Sequence, residues 1–407
     1  MAASGSSSGG TRAVALMWLC GLALVLADQA YVGLVPNGSL VVKPQDGRAV
    51  VVDGVEFQSL VRRLETVERH WAGLQCVVQA DTSISGAAGL SADYKWHGGV
   101  LAGNGKIYGI PYRATTVLVI DPSTNAVDTT TIAGLLAEDA KWAGGVLARN
   151  GKIYGIPLSA NSVLIIDPVA NKTDTTSMLN LNAAGSLKWA GGVLANDGKI
   201  YGIPFSAAVV LVIDPEAGAT TLMTISGLTN NFSGKWDGGV LANNGKIYGI
   251  PHEASAALII DPAAKSAETT TITGLTGSKK WRGGVLAGNG KIYGFPSDFS
   301  SVLVIDPATN VAATLPSGLL GGNQCFGGAA ANDGKIYAMM YNTQSVLIID
   351  PASNTTDTTS INTSAIAAQS FKWRGAVLAN NGKIYGIPYF ATSVLMLQAE
   401  CCLAKGL

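Results

Sequence analysis

The imidazole of this 407-residue chain is confined to three histidines, His70, His97 and His252. Imidazole is the side chain best suited to proton transfer near neutral pH and the commonest metal ligand, so its scarcity limits the available chemistry. The three are widely spaced. No serine–histidine–aspartate arrangement can be assembled around them, and no recurring Asp/Glu set offers the oxygen shell that calcium needs. The expectation is a chain without catalytic residues, metal or cofactor, each histidine being an ordinary surface residue.

Recognition chemistry is better represented, at two recurring positions. Following a repeated tryptophan, or its equivalent, stand His97, Ala143, Ala190, Asp237, Arg282, Phe326 and Arg374. Following a repeated Ile-Pro or its equivalent stand Tyr112, Leu158, Phe205, His252, Ser297, Tyr341 and Tyr389. These vary while the residues around them hardly change, and variable positions on a rigid scaffold are where binding usually resides. The candidate ligand-binding set is His97, Asp237, Arg282, Phe326, Arg374, Tyr112, Phe205, His252, Tyr341 and Tyr389. Lysine precedes the tryptophan in six places: Lys95, Lys141, Lys188, Lys235, Lys280 and Lys372. A cationic ring for an acidic ligand is one reading. The expected one is packing, with lysine stems lying over the indoles and their heads in water.

The elements that must position these residues come from one motif repeated seven times. The block from Lys95 to Ile132 recurs on Trp96, Trp142, Trp189, Trp236, Trp281 and Trp373, with Cys325 at the equivalent place in the sixth copy. The spacings are 46, 47, 47, 45, 44 and 48 residues, and periods of this size mark propellers or helical arrays. Each copy carries Asn-Gly or Asp-Gly before Lys-Ile-Tyr, the strongest short hairpin signal. An Asp-Pro turn follows the next apolar run in the first six copies. Between the turns lie short β-rich runs such as GGVLA, KIYGI, VLVI and DTTTI, none with helical period. The fold class is therefore all-β: a seven-bladed β-propeller with four strands per blade. The third strand (Val117-Leu118-Val119-Ile120) is continuously apolar, as expected of a blade covered on both faces. Gly98 and Gly99 stand where blades crowd toward the axis, and Trp96 and Tyr108 read as packing groups between blades.

The run from Gly105-Lys106-Ile107-Tyr108 through Val119-Ile120-Asp121-Pro122-Ser123-Thr124-Asn125 resembles the kelch repeat, over about 320 residues from Ala80 to Gln398. Two features depart from it. The second strand ends Gly109-Ile110-Pro111 instead of Gly-Gly, and Val127-Asp128-Thr129 stands where kelch places a tryptophan. The resemblance implies the propeller fold, a scaffold used mostly for binding and less often for catalysis.

The seventh copy lacks its fourth strand, and Ala80-Asp81-Thr82-Ser83-Ile84 matches the missing piece, so the N-terminal side is expected to close the ring at residues 80–398. Aligning the truncated copy on an intact one places Cys401 and Cys402 in the third-to-fourth-strand turn beside Cys76. That predicts a disulfide from Cys76 to Cys401 or Cys402; the alternative is an intermolecular cysteine. Residues 13–26 form an apolar run of fourteen, the length of a signal-peptide core and short for a membrane span. Residues 1–27 are thus expected to be a cleaved signal or a signal anchor that tethers the chain to a membrane. Residues 28–53 read as an irregular linker with short strands. Phe57, Leu60, Leu64, Val67, Trp71 and Leu74 form an a/d seam, so 54–76 is expected to be a short amphipathic helix that docks locally or forms a homo-oligomeric coiled coil. Residues 399–407 form a tail. Asn37, Asn171, Asn231, Asn354 and Asn362 head glycosylation triplets.

Charged residues are 13% of the chain, about half the roughly 25% usual for soluble domains, in keeping with blades buried on both faces. Lys plus Arg and Asp plus Glu number 27 each, with no basic block, which excludes a nucleic-acid partner. The sequence thus points to a secreted or membrane-tethered, non-catalytic scaffold for a protein or glycan. A hydrolase or lyase acting on a sugar or lactone at the channel mouth is the alternative, and a structural cell-surface or matrix component a third.

Overall fold

The computed structural model describes residues 30–34, 40–44, 51–52, 55–56 and 76–401, except 88, 182–184, 229–231, 321, 323, 362–365 and 367–369. The chain divides into two units. One, residues 1–76 with 401–407, contains two antiparallel hairpins, Ala30–Leu34 with Leu40–Pro44 and Val51–Val52 with Val55–Glu56. The other, Val77–Glu400, is a ring of seven four-stranded sheets, a seven-bladed β-propeller.

The first blade sets the pattern. Its strands Trp96–Leu101, Ile107–Pro111, Leu118–Asp121 and Ala126–Asp128 pair in sequence order, all antiparallel. Gly105 supplies the positive φ (79°) that the first hairpin turn requires, and the Asn104 side chain accepts the Lys106 amide at 3.1 Å. The fourth strand is shorter than the DTTTI pattern suggests. In the first blade it stops at Asp128, whose Oδ1 accepts the amide and hydroxyl of Thr130 at 2.7 and 2.9 Å. Asp174 and Asp357 do the same in the second and sixth blades. The carboxylate draws those amides into a turn and takes them away from a ladder. Where Asp or Glu is missing from this position, at Ala219–Thr224 and Val311–Pro316, the outer strand runs on to six residues.

The seventh blade is ordered Trp373–Leu378, Ile384–Pro388, Leu395–Cys401, Cys76–Asp81, so the N-terminal side supplies its outer strand, from Cys76–Asp81 and not from the expected 80–84. Val394 N donates to Ile84 O at 2.9 Å just beyond it. The closing strand begins at Cys76, and the third strand continues through Cys401, so both cysteines lie within adjacent strands where the alignment had put a turn. The expected helix over 54–76 lies outside the described residues from 57 to 75; at its described ends Val55–Glu56 and Cys76 are in strands. Residues 1–27, with the expected signal or tether at 13–26, and residues 402–407 also lie outside them. Among the described residues, no helix is long and apolar enough to cross a membrane.

The core lies between blades. At the seam of blades one and two, Trp142 packs with Val100, Tyr108 and Ile110; at the closing seam, Trp96 and Ile107 pack with Tyr385 and Ile387. Each tryptophan also donates its indole N–H to a backbone carbonyl twenty residues on, as Trp96 does to Thr116 O at 2.8 Å, so a fully buried ring leaves no polar atom stranded.

Close to the axis the blades meet backbone to backbone. Every first strand carries a bulge after its tryptophan, or after Cys325 in the sixth blade; in the first blade it lies between Trp96 and Gly99. The first glycine of each pair adopts positive φ there, from 66° at Gly283 to 85° at Gly375. A β-carbon on Gly98 would lie 3.2 Å from the Cα of Gly144, and the relation passes on around the ring until Gly375 meets Gly98 at 2.9 Å. Seven glycines thus form a closed collar that no side chain can enter. The residue before each of them, the variable one, projects at the axial mouth.

Candidate functional site

Two backbone devices position the mouth. The bulge leaves residues 97, 143, 190, 237, 282, 326 and 374 out of the ladder register. The residue after each second strand is pinned by its carbonyl, which accepts the amide at the Lys position of the next blade. Lys141 N donates to Tyr112 O at 3.0 Å, Lys280 N to His252 O at 2.9 Å, and Lys95 N closes the circle on Tyr389 O at 3.1 Å.

The lysines themselves are structural. All six are at most 1% exposed, and their ammonium groups donate to main-chain carbonyls: Lys188 Nζ to Ala160 O at 2.9 Å, Lys280 Nζ to His252 O and Gly277 O at 2.9 Å each, Lys372 Nζ to Thr343 O at 2.9 Å. Burial lowers each ammonium from 10.5 to about 8. They present no cationic ring; as the packing reading has it they lie against tryptophan, the Lys141 and Lys188 ammoniums 5.9 Å from the Trp142 and Trp189 ring centroids, but their heads are out of water. They tie one blade's loops to the next.

The variable residues converge across the axis. Phe326, from the sixth blade, is the hub. Its ring lies 5.0 Å from the His97 ring of the first blade, edge to face, and 5.4 Å from Tyr341. The Arg282 and Arg374 guanidiniums stand 4.9 and 4.4 Å from its centroid. Arg374 also lies 3.8 Å from the Tyr389 ring, 5.0 Å from Tyr341 and 5.7 Å from Tyr112, and its Nη2 donates to Tyr341 Oη at 2.7 Å. His97 stacks on Tyr112 at 5.8 Å. Half-buried Tyr94, Phe371 and Phe390 extend this aromatic surface outward. On the opposite side Ala143, Ala190 and Leu158 form a small apolar patch with Tyr112 and Phe205 against it.

A second set joins the fourth and fifth blades. Arg282 Nε donates to His252 Nε2 at 3.1 Å and faces Asp237 Oδ2 at 3.9 Å. Since Nε2 accepts, His252 is neutral and its Nδ1–H donates to Gly234 O at 3.1 Å. Burial, aided by Arg282, lowers His252 to about 3. Burial, with Arg374 and Arg282 adding to it, also holds His97 well below the ordinary imidazole value. Asp237 is raised by burial, against the pull of both arginines.

Nine of the ten candidate residues thus take part in the Phe326 hub or the Arg282 set, and the tenth, Phe205, lies 5.9 Å from the His252 ring. Two expectations fail. His97 and His252 are 8% and 3% exposed and belong to this cluster, so they are not ordinary surface residues. Although they stand in the first and fourth blades, both feel the charge of Arg282. Nothing in the repeat pattern signals that Arg282 bridges Asp237 and His252. Among the described residues no group of His, Cys, Asp or Glu could hold a metal. Asn171 and Asn354 are exposed in turns at positive φ; Asn37, Asn231 and Asn362 lie outside the described residues.

Residues 190–370 match a family described as a repeat of unknown function (DUF6923). Similarity to kelch goes no further than the fold. No curated protein sequence matches the chain. Among solved structures, a catalytically inactive virginiamycin B lyase from Staphylococcus aureus with quinupristin superposes with a TM-score of 0.64 at 11% identity, over 79% of this chain and 100% of that one. A streptogramin B lyase gives 0.63 at 11% over 80% and 98%. The extracellular domain of a putative one-component system from B. thetaiotaomicron gives 0.58 at 10% over 78% and 43%. At such identities the likeness is one of fold.

Proposed function

We propose that this propeller is a binding module that acts outside the cytoplasm and takes a glycan at the axial mouth. The observation that carries the reading is the convergence of variable residues from four blades on Phe326, at the one end of a nearly invariant framework where the sequence is free to differ. Aromatic faces suit the apolar faces of sugar rings, and planar guanidiniums suit paired oxygen acceptors. A cluster of so few side chains favours a ring-sized ligand over a broad protein surface, which would need a larger contact area. The extracellular domains among the neighbours support the location.

A glycan array followed by calorimetry tests this. Binding should be detected and should weaken about tenfold or more in Tyr112→Ala, which removes a half-buried ring from the mouth. A silent array, or a variant that binds as well as the parent, overturns the reading. A lyase or hydrolase at the same mouth is the second reading, favoured by the neutral, buried imidazole of His97 beside Tyr112. It requires that a bound sugar or lactone be converted, which product analysis after prolonged incubation decides.

A further inference from the structure

Arg282 has a carboxylate facing it and an imidazole accepting from it. Arg374 is different. No carboxylate pairs with it among the described residues, its buried Nε has no acceptor, and only Nη2 is engaged, by the Tyr341 hydroxyl. Four aromatic rings surround it, at 3.8 to 5.7 Å. Rings attract a cation over their faces, but they supply neither a counter-charge nor an acceptor in the guanidinium plane. A cation so placed is costly until an anion meets it. The two imidazoles of the mouth are neutral, and Asp237 acts on both guanidiniums but stands within ion-pair distance of Arg282 only, so Arg374 is the cation without a paired carboxylate.

We propose that Arg374 is the carboxylate-binding residue of the mouth, so that its ligand is a sugar acid carrying one carboxylate, a hexuronate. This rests on the glycan reading above and narrows it. The planar guanidinium meets the carboxylate, and the Tyr389 and Phe326 rings fix the plane in which it can do so. Asp237, which faces Arg282 at 3.9 Å and also feels the charge of Arg374, adds a negative charge that disfavours multiply charged ligands. It retains acceptor capacity for a sugar hydroxyl.

The test uses the full chain and four probes of matched length: a neutral hexose oligomer, its uronate counterpart, a sulfated neutral oligomer and the uronate methyl ester. The uronate should bind about tenfold or more tighter than the neutral oligomer and the ester, and its affinity should fall as salt is raised while that of the neutral oligomer stays level. Arg374→Gln should abolish the preference for the uronate over the neutral oligomer, and Arg374→Lys should restore part of it. Should Arg374→Gln fail to fold, the ester comparison and the salt dependence in the unmodified protein still decide. Equal binding of uronate and neutral oligomer leaves the glycan reading standing and overturns this one. Binding of the sulfated oligomer alone also overturns it, and binding of none overturns both.

Discussion

The glycine collar makes a sharp prediction, because a single methyl group can be added inside it or outside it at the same backbone angle. Gly191 has φ +76°, and a β-carbon there would stand 3.0 Å from the Cα and 3.5 Å from the N of Gly238. Both are backbone atoms of the next blade's first strand, so no side chain can rotate away. Gly151, in the hairpin turn of the second blade, has φ +77° and nothing within 4 Å of the same added atom. Gly151→Ala should therefore cost only the left-handed conformation, about 1–2 kcal/mol. Gly191→Ala should cost that plus overpacking against backbone, about 1–3 kcal/mol more. The spacing varies around the collar, so the penalty should too. Gly375→Ala, at 2.9 Å from Gly98, should be at least as severe as Gly191→Ala, and Gly283→Ala, at 3.4 Å from Gly327, milder. Urea unfolding followed by tryptophan fluorescence reads the differences. Equal losses for Gly191→Ala and Gly151→Ala would refute the collar as a packing constraint and leave φ as the whole reason for these glycines.

Three further outcomes are expected. Amine-reactive labelling of the folded protein should spare Lys95, Lys141, Lys188, Lys235, Lys280 and Lys372 while modifying the partly exposed Lys106 and Lys152; mass spectrometry that finds the two groups equally modified contradicts the carbonyl-bound heads. His252 is lowered from 6.5 to about 3, so on acidification the unfolded chain takes its proton first, and stability falls as pH drops from about 6.5 toward 3. By pH 4.5 this one group accounts for roughly 2–3 kcal/mol; His97 adds in the same direction and the raised Asp237 opposes. Melting temperatures between pH 7 and 4.5 should thus fall less steeply in His252→Gln than in the parent, and parallel slopes would show that His252 does not titrate this way. Finally, Cys76 opens the closing strand and Cys401 ends the strand beside it, so non-reducing peptide mapping should find Cys76 cross-linked to Cys401 or Cys402. Cys76→Ser should cost roughly 5 kcal/mol on the chain-entropy view of so long a loop, and a free Cys76 thiol in the oxidised protein would remove the cross-link.

The framework was legible because each copy states its turns in residues with few alternatives. Asn104-Gly105 allows a type I′ turn, Asp121-Pro122 presets the next, and the seven-fold spacing leaves no room for helices. The crowding at Gly98-Gly99 was also readable, since paired glycines in a strand have little other use. The site was legible only as a set of positions. That Phe326 touches His97 depends on ring closure, which an alignment of copies cannot express: blades one and six are far apart in the chain, and the closed ring leaves one blade between them. The lysines misled for a related reason. A charged side chain beside tryptophan ordinarily keeps its head in water, and only the loop carbonyls of neighbouring segments, such as Ala160 and His252, supply the buried acceptors that make full burial tolerable.

The positions that vary are those that the framework leaves free. Trp96 must fill a seam and pair with Pro111, Gly98 must pass the collar, and Gly99 must pair with Gly109. His97, between them, is one of the two residues that the bulge skips and so has no cross-strand partner. The same holds for its six equivalents, so the chain could place alanine on blades two and three, aspartate and arginine on four and five, and phenylalanine and arginine on six and seven at little cost to the fold. A bulge is commonly a device for re-aiming a side chain; repeated seven times around an axis, it aims seven at one point. It follows that Phe326→Leu, which keeps an apolar side chain where the rings meet, should cost only about 1–2 kcal/mol in urea unfolding while weakening recognition at the mouth. A fold that collapsed under this substitution would mean that the cluster around Phe326 holds the ring together.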